Sequence, residues 1–212
     1  MRWIWWVIVA IAFLMTAALY TRLPDSLPVH WNLAGEVDRY AAKPLGALLM
    51  PLVMIFTALL FEAVPRISPR DFAIDANARG FRAIATATLV LLLAVHTLTL
   101  VAGLGFPVDI NLVMPLGIGA LFVVIGNYMT TVQKNFFVGI RTPWTLASDD
   151  VWFRTHRLGG RLFMLGGIVL MATVFLGPKA MMAAMLVVIT IVAGVPIVYS
   201  YVVYRRLEAE KR

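Results

Sequence analysis

The 212-residue chain contains no cysteine, so disulfides, thiolate metal sites and cysteine nucleophiles are excluded. Charged residues are scarce at 14%, against about a quarter in an ordinary soluble domain. No P-loop, nucleophile elbow, glycine fingerprint, paired-carboxylate motif or helical zinc spacing occurs in it. The sequence therefore predicts a protein that is not an enzyme and that holds neither cofactor nor metal. A basic soluble domain is missing too, so the net charge of +7 (18 minus 11) does not point to direct contact with nucleic acid.

What is present is apolar sequence. Hydrophobic residues make up 61% of the chain, in runs too long for soluble core helices. A bilayer core is about 30 Å thick and a helix rises about 1.5 Å per residue, so runs of roughly 17 to 25 apolar residues are spans. Six such runs occur, at 3–20, 44–64, 81–105, 110–130, 162–177 and 180–204. Unpaired backbone groups are costly in lipid and the runs lack the alternation of barrel strands, so they read as helices. The expected fold class is all-α: a polytopic membrane protein, a bundle of six transmembrane helices with a short extracellular hairpin-like loop. Arg2 ahead of the first run and its belt of Trp3, Trp5 and Trp6 read as an uncleaved first helix rather than a signal peptide.

Basic residues orient the bundle. With the N-terminus inside, the inner side carries Arg2, then Arg66, Arg70, Arg79 and Arg82, then Lys134, Arg141, Arg154, Arg157 and Arg161, then Arg205, Arg206, Lys211 and Arg212. The outer side carries only Arg22, Arg39, Lys43 and Lys179. This bias predicts both termini in the cytoplasm.

Two connections are long enough to carry chemistry. Outside, residues 21–43 read "TRLPDSLPVHWNLAGEVDRYAAK". Pro24 and Pro28 favour extended backbone, and Asn32 to Gly35 is a turn-rich tetrad, which predicts a hairpin over the helix ends. In a regular strand His30 and Asn32 would share one face. His30 with Glu36 and Asp38 reads either as a metal site or as polar residues satisfying one another. Inside, residues 131–161 are followed by only about 22 Å of apolar helix, short for a span. The fifth helix should therefore begin earlier, at an N-cap Ser148 followed by Asp149 and Asp150. On that helix Trp152, His156, Gly159/Gly160, Phe163 and Gly166/Gly167 recur at three- and four-residue spacing, and the glycines would admit a close neighbour. The 65–80 loop reads as a short amphipathic piece on the inner surface, and Glu62 with Arg66 as an ion pair.

His96 is the one histidine inside an apolar run. It reads either as a functional group in a cavity or as an imidazole bonded across helices. Pro51, Pro115 and Pro196 fall within spans, where kinks can line a cavity.

The passage "NFFVGIRTPWTLASDDVWFRTHR" at 135–157 resembles the signature of the SdpI family of bacterial membrane proteins through Asn135, Gly139, Arg141, Thr142, Pro143, Thr145, Trp152 and His156. The outer loop resembles a domain of unknown function that often precedes it, through Pro28, His30, Trp31, Asn32, Gly35, Asp38 and Lys43. The resemblance implies a multi-pass protein of the bacterial cytoplasmic membrane, surrounded by lipids and conferring immunity. Its implied partners are a secreted peptide toxin outside and a small transcriptional repressor held inside. His30, Trp31, Asn32, Gly35, Asp38, Lys43 and His96 are then candidates for peptide or ligand binding. The inner motif is either a clamp between the fourth and fifth helices or a partner site. Segments 1–65, 66–130 and 131–212 are the expected N-terminal module, middle helices and SdpI-like module. Two alternatives stand beside this reading: a small transporter or lipid-handling protein built around His96 and the prolines, and a membrane-surface metalloenzyme built on His30 and Asp38.

Overall fold

The computed structural model describes residues 2–76 and 78–210. Lys211 and Arg212, counted above on the inner side, lie outside the described residues. The elements in chain order are α1 (Trp3–Leu19), β1 (Ser26–Trp31), β2 (Val37–Ala42), α2 (Lys43–Ile67), α3 (Arg79–Gly103), α4 (Ile110–Tyr128), α5 (Pro143–Ala147), α6 (Asp149–Ala172) and α7 (Pro178–Glu210). All but the two strands and α5 are long and apolar enough to cross a membrane. The chain is a multi-pass, all-α membrane protein with a small hairpin at one end of the bundle and the motif loop at the other.

Side-chain shape divides the bundle into two packed groups. In the first, α1, α2 and α3 pack mutually around Trp5, Met54, Ala58, Ala85 and Leu89. Trp5, Phe61 and Phe81 meet there with ring centroids 5.8 to 6.3 Å apart, tilted or edge-on, an arrangement aromatic quadrupoles favour. In the second group α6 packs against both α4 and α7, around Leu170, Val188 and Val192. Helix α3 also packs on α4 and joins the groups. Large apolar side chains on the outside, such as Leu14, Phe56, Leu165 and Val198, are exposed and suit a lipid surround.

The α4–α6 contact depends on missing side chains. A Cβ on Gly119 would stand 2.6 Å from the Gly167 carbonyl oxygen, and one on Gly160 would stand 2.8 Å from the Gly126 oxygen. Two glycine layers, 119/167 and 126/160, thus bring the backbones together, as the glycines of the fifth span led one to expect.

Helix α6 begins at Asp149 with Ser148 as N-cap, its side chain accepting from the Val151 N–H at 3.4 Å, so the fifth span does start early. The preceding turn, α5, was not foreseen. Pro143 at N1 follows Thr142, whose hydroxyl accepts the Thr145 N–H (3.1 Å) while Thr145 Oγ1 accepts the Thr142 N–H (2.8 Å). This reciprocal cap is a variant of the capping box with threonine at N3.

Candidate functional site

At the hairpin end, β1 and β2 pair antiparallel, as the turn residues predicted. Leu27 is the anchor. It is fully buried with Leu23, Ala47 and Leu100, and Gly46 and Gly103 leave room for it, since a Cβ on either would stand 2.9 or 3.3 Å from its side chain. The turn is built by Asn32, whose Oδ1 accepts the N–H groups of Ala34 (2.9 Å) and Glu36 (3.0 Å). Gly35 completes it at φ 84°, where a side chain would be strained. Asn111 at the start of α4 reaches this tip, donating from Nδ2 to the Ala34 carbonyl at 3.3 Å.

His30 lies in β1, whereas Asn32 stands just past its end. The strand register is irregular between Pro28 and Trp31, and Asn32 leaves the ladder to make the turn. His30 Nδ1 lies 2.6 Å from Asp38 Oδ1, with both side chains well exposed. Glu36 is occupied elsewhere, accepting from Asn32 Nδ2 at 3.2 Å. Among the described residues no group of three or more His, Asp or Glu side chains is placed to share an ion. Two pairs of hairpin side chains, His30 with Asp38 and Asn32 with Glu36, therefore satisfy one another.

Lys43 ties the hairpin to the end of α1. Its Nζ donates to the Leu23 carbonyl at 2.7 Å and sits 4.9 Å from the centre of the Tyr20 ring. Its contacts are thus with the protein's own backbone and an aromatic ring. His96 is fully buried, with Nε2 3.0 Å from Thr16 Oγ1 and 3.2 Å from the Ala12 carbonyl. The carbonyl can only accept, which assigns the proton to Nε2. His96 thereby fastens α3 to α1, and it is separate from exposed His30.

A cavity of about 190 Å³ lies under the turn, between Trp31, Asn32 and Leu33 and the ends of α4, α6 and α7. Met114, Met181 and Met185 line it, with Pro115. Methionine stripes of this kind adapt to irregular apolar partners. Sequence reasoning found Trp31 and Asn32 but missed the methionines and Asn111, because only the fold brings α7 to the hairpin.

At the other end, the motif between α4 and α6 is a network of backbone contacts. Asn135 is buried, its Oδ1 accepting the N–H groups of Phe137 (2.8 Å) and Val138 (2.6 Å) and its Nδ2 donating to the carbonyls of Gln133 (2.7 Å) and Val138 (3.0 Å). Trp152 donates from Nε1 to the Val132 carbonyl at 2.9 Å. Its ring stacks on His156, centroids 3.9 Å apart. Gly139, at φ 113°, lies so close to His156 that a Cβ would collide with the ring. Thr142 also reaches α7, its hydroxyl 3.0 Å from Ser200 Oγ. Arg141 is exposed and its Nη1 donates to the Phe136 carbonyl.

The 65–80 loop docks here as well. Phe72 lies against Phe136, centroids 4.2 Å apart, and Lys134 pairs with Asp149. Glu62 and Arg66 do pair, at 3.4 Å, and Glu62 also accepts from Trp6 Nε1 at 2.9 Å.

The motif therefore has two sides. Asn135, Thr142, Thr145, Trp152 and His156 are buried and hold the chain, whereas Phe136, Arg141 and Pro143 remain exposed.

Two family models match the chain. Residues 131–200 match the SdpI/YfhL protein family, and residues 7–55 match a domain of unknown function, DUF1648. The chain is similar to the immunity protein SdpI of Bacillus subtilis (strain 168), with 27% identity over 205 residues that cover 97% of this chain and 96% of the relative. No solved structure matches it. The resemblance read from the motif and from the outer loop is thereby borne out.

Proposed function

We propose that this chain, which carries an SdpI-family module over residues 131–200 and resembles an immunity protein along nearly its whole length, is an immunity-type protein of the cytoplasmic membrane. It binds a secreted, membrane-active peptide at its hairpin end and presents the motif end to a cytoplasmic repressor. The observation that carries the outer half is the cavity under the hairpin turn, where Trp31 and three methionines gather. A peptide that acts on membranes has an apolar face, and an aromatic anchor beside adaptable thioethers suits such a face. His30 and Asp38, paired and exposed on the same hairpin, supply polar contacts at the rim. On the inner half, the exposed side of the motif (Phe136, Arg141 and Pro143) is the docking surface, held in shape by the buried side. Both termini lie in the cytoplasm in this reading, as the basic-residue bias requires.

The test is survival. Cells expressing the chain and vector controls are challenged with a panel of secreted membrane-active peptides, and protection against at least one is expected, reduced by Trp31→Ala or Met181→Ala at equal protein levels in the membrane. Equal killing of expressing and control cells by every peptide would overturn the reading. Reporter fusions at the two termini test the orientation separately.

A further inference from the structure

A further cavity starts at the motif end and extends along the side of the bundle. Helices α1 and α4 flank α3, and between them lies an open groove of about 940 Å³. Its floor is smoothed by small residues, among them Ala87 and Ala94 of α3 and Gly117 and Ala120 of α4. Ala94 is fifteen residues along α3 from Arg79, so the groove runs about 22 Å from the motif end of the bundle, well past the middle of a bilayer core of about 30 Å.

Polarity is confined to one end. There Arg79 and Arg82 stand at the start of α3, with Trp3 and Tyr128 beside them, and all four line the groove. Arg79 is exposed, while Arg82 also interacts elsewhere within the protein. No lining residue is acidic. Beyond this mouth the walls are apolar apart from Thr86, which is taken up by accepting a hydrogen bond from Trp5 Nε1 at 3.0 Å.

We propose that this groove is a binding site for an anionic phospholipid, its phosphate at Arg79 and Arg82 and its acyl chains along the alanine floor. Charge complementarity selects this occupant. A purely apolar helix would leave the exposed Arg79 guanidinium at the mouth without a counter-charge, whereas an amphiphile places its one negative charge there. Basic pockets between transmembrane helices take anionic head groups by the same physics. Trp3 and Tyr128 stand at the ends of α1 and α4 beside the arginines, and aromatic rings with a polar edge favour the head-group region.

The full-length protein is reconstituted in vesicles of phosphatidylcholine containing phosphatidylglycerol, then extracted in mild detergent, and retained lipid is counted by native mass spectrometry. Wild type is expected to retain phosphatidylglycerol over phosphatidylcholine. Arg79→Glu is expected to cut that retention about fivefold or more, the scale of one basic contact near an anionic surface. Ala120→Phe, at an exposed position on the groove wall, is expected to block it with the mouth intact. Lys179→Glu, at the opposite end of the bundle, is the control and retains lipid as wild type does. Should Ala120→Phe not accumulate, Arg79→Gln carries the test in its place. Equal retention of the two lipids by wild type, or unchanged retention in Arg79→Glu, would overturn the proposal. So would a crosslinked second copy occupying the groove.

Discussion

The backbone N–H of Ile140 donates to His156 Nε2 at 3.0 Å, while His156 Nδ1 lies 2.8 Å from the Trp152 carbonyl. Because the carbonyl can only accept, the proton sits on Nδ1 and Nε2 is left as an acceptor. One neutral imidazole thus serves two backbone groups, one in its own helix and one in the motif loop. His156→Leu keeps much of the volume but leaves the Ile140 N–H without its partner, and should cost about 1 to 3 kcal/mol. Thermal unfolding in detergent reads this directly, and an unchanged midpoint would mean that Ile140 finds another acceptor.

The glycine layers make a contrast within the same bundle. Gly160→Ala places a methyl group 2.8 Å from the Gly126 carbonyl oxygen, and with backbone on both sides nothing flexible can yield. It should lower the unfolding midpoint markedly. Gly194 in α7 has nothing within 4 Å of its added Cβ, so Gly194→Ala should be neutral or stabilising by up to about 1 kcal/mol from helix propensity. Similar midpoints for the two variants would refute close α4–α6 packing.

Local signals were legible in the sequence and pairings were not. Hydropathy placed six helices, and Ser148 with Asp149 and Asp150 located the start of α6, because spans and caps are written in neighbouring residues. The capping box of α5 was equally local but went unread, since Thr142–Pro143 also fits an extended connection. By contrast, nothing near His96 announces Thr16, eighty positions away. Nor does Gly119 announce Gly167, and the irregular pairing around His30 is a matter of strand register between β1 and β2. The site at the hairpin end was legible as a turn with an aromatic residue. Its methionine wall required the fold.

At the hairpin, anchor and tip should separate. Leu27→Ala empties a fully buried site walled by Gly46 and Gly103, and a loss of about 2 to 5 kcal/mol is expected. Asn111→Ala removes one exposed hydrogen bond to the tip, so the global midpoint should hardly move. Limited proteolysis should instead show faster cutting at residues 33–36 in that variant. Resistance equal to wild type would show that the tip is held by the strands alone.

Arg141 separates holding from docking. Its guanidinium is exposed and makes one hydrogen bond to the Phe136 carbonyl, so Arg141→Lys should change stability by no more than about 0.5 to 1 kcal/mol, the low end for a solvated bond. A lysine keeps the charge but loses the planar fork that recognises carboxylate and phosphate. If the exposed side of the motif is a docking surface, this variant should unfold nearly as wild type does, protect against peptide as well, and yet recruit less cytoplasmic partner to the membrane in a fractionation assay. A large fall in the unfolding midpoint would place Arg141 with the buried clamp, and full recruitment would remove it from the docking surface.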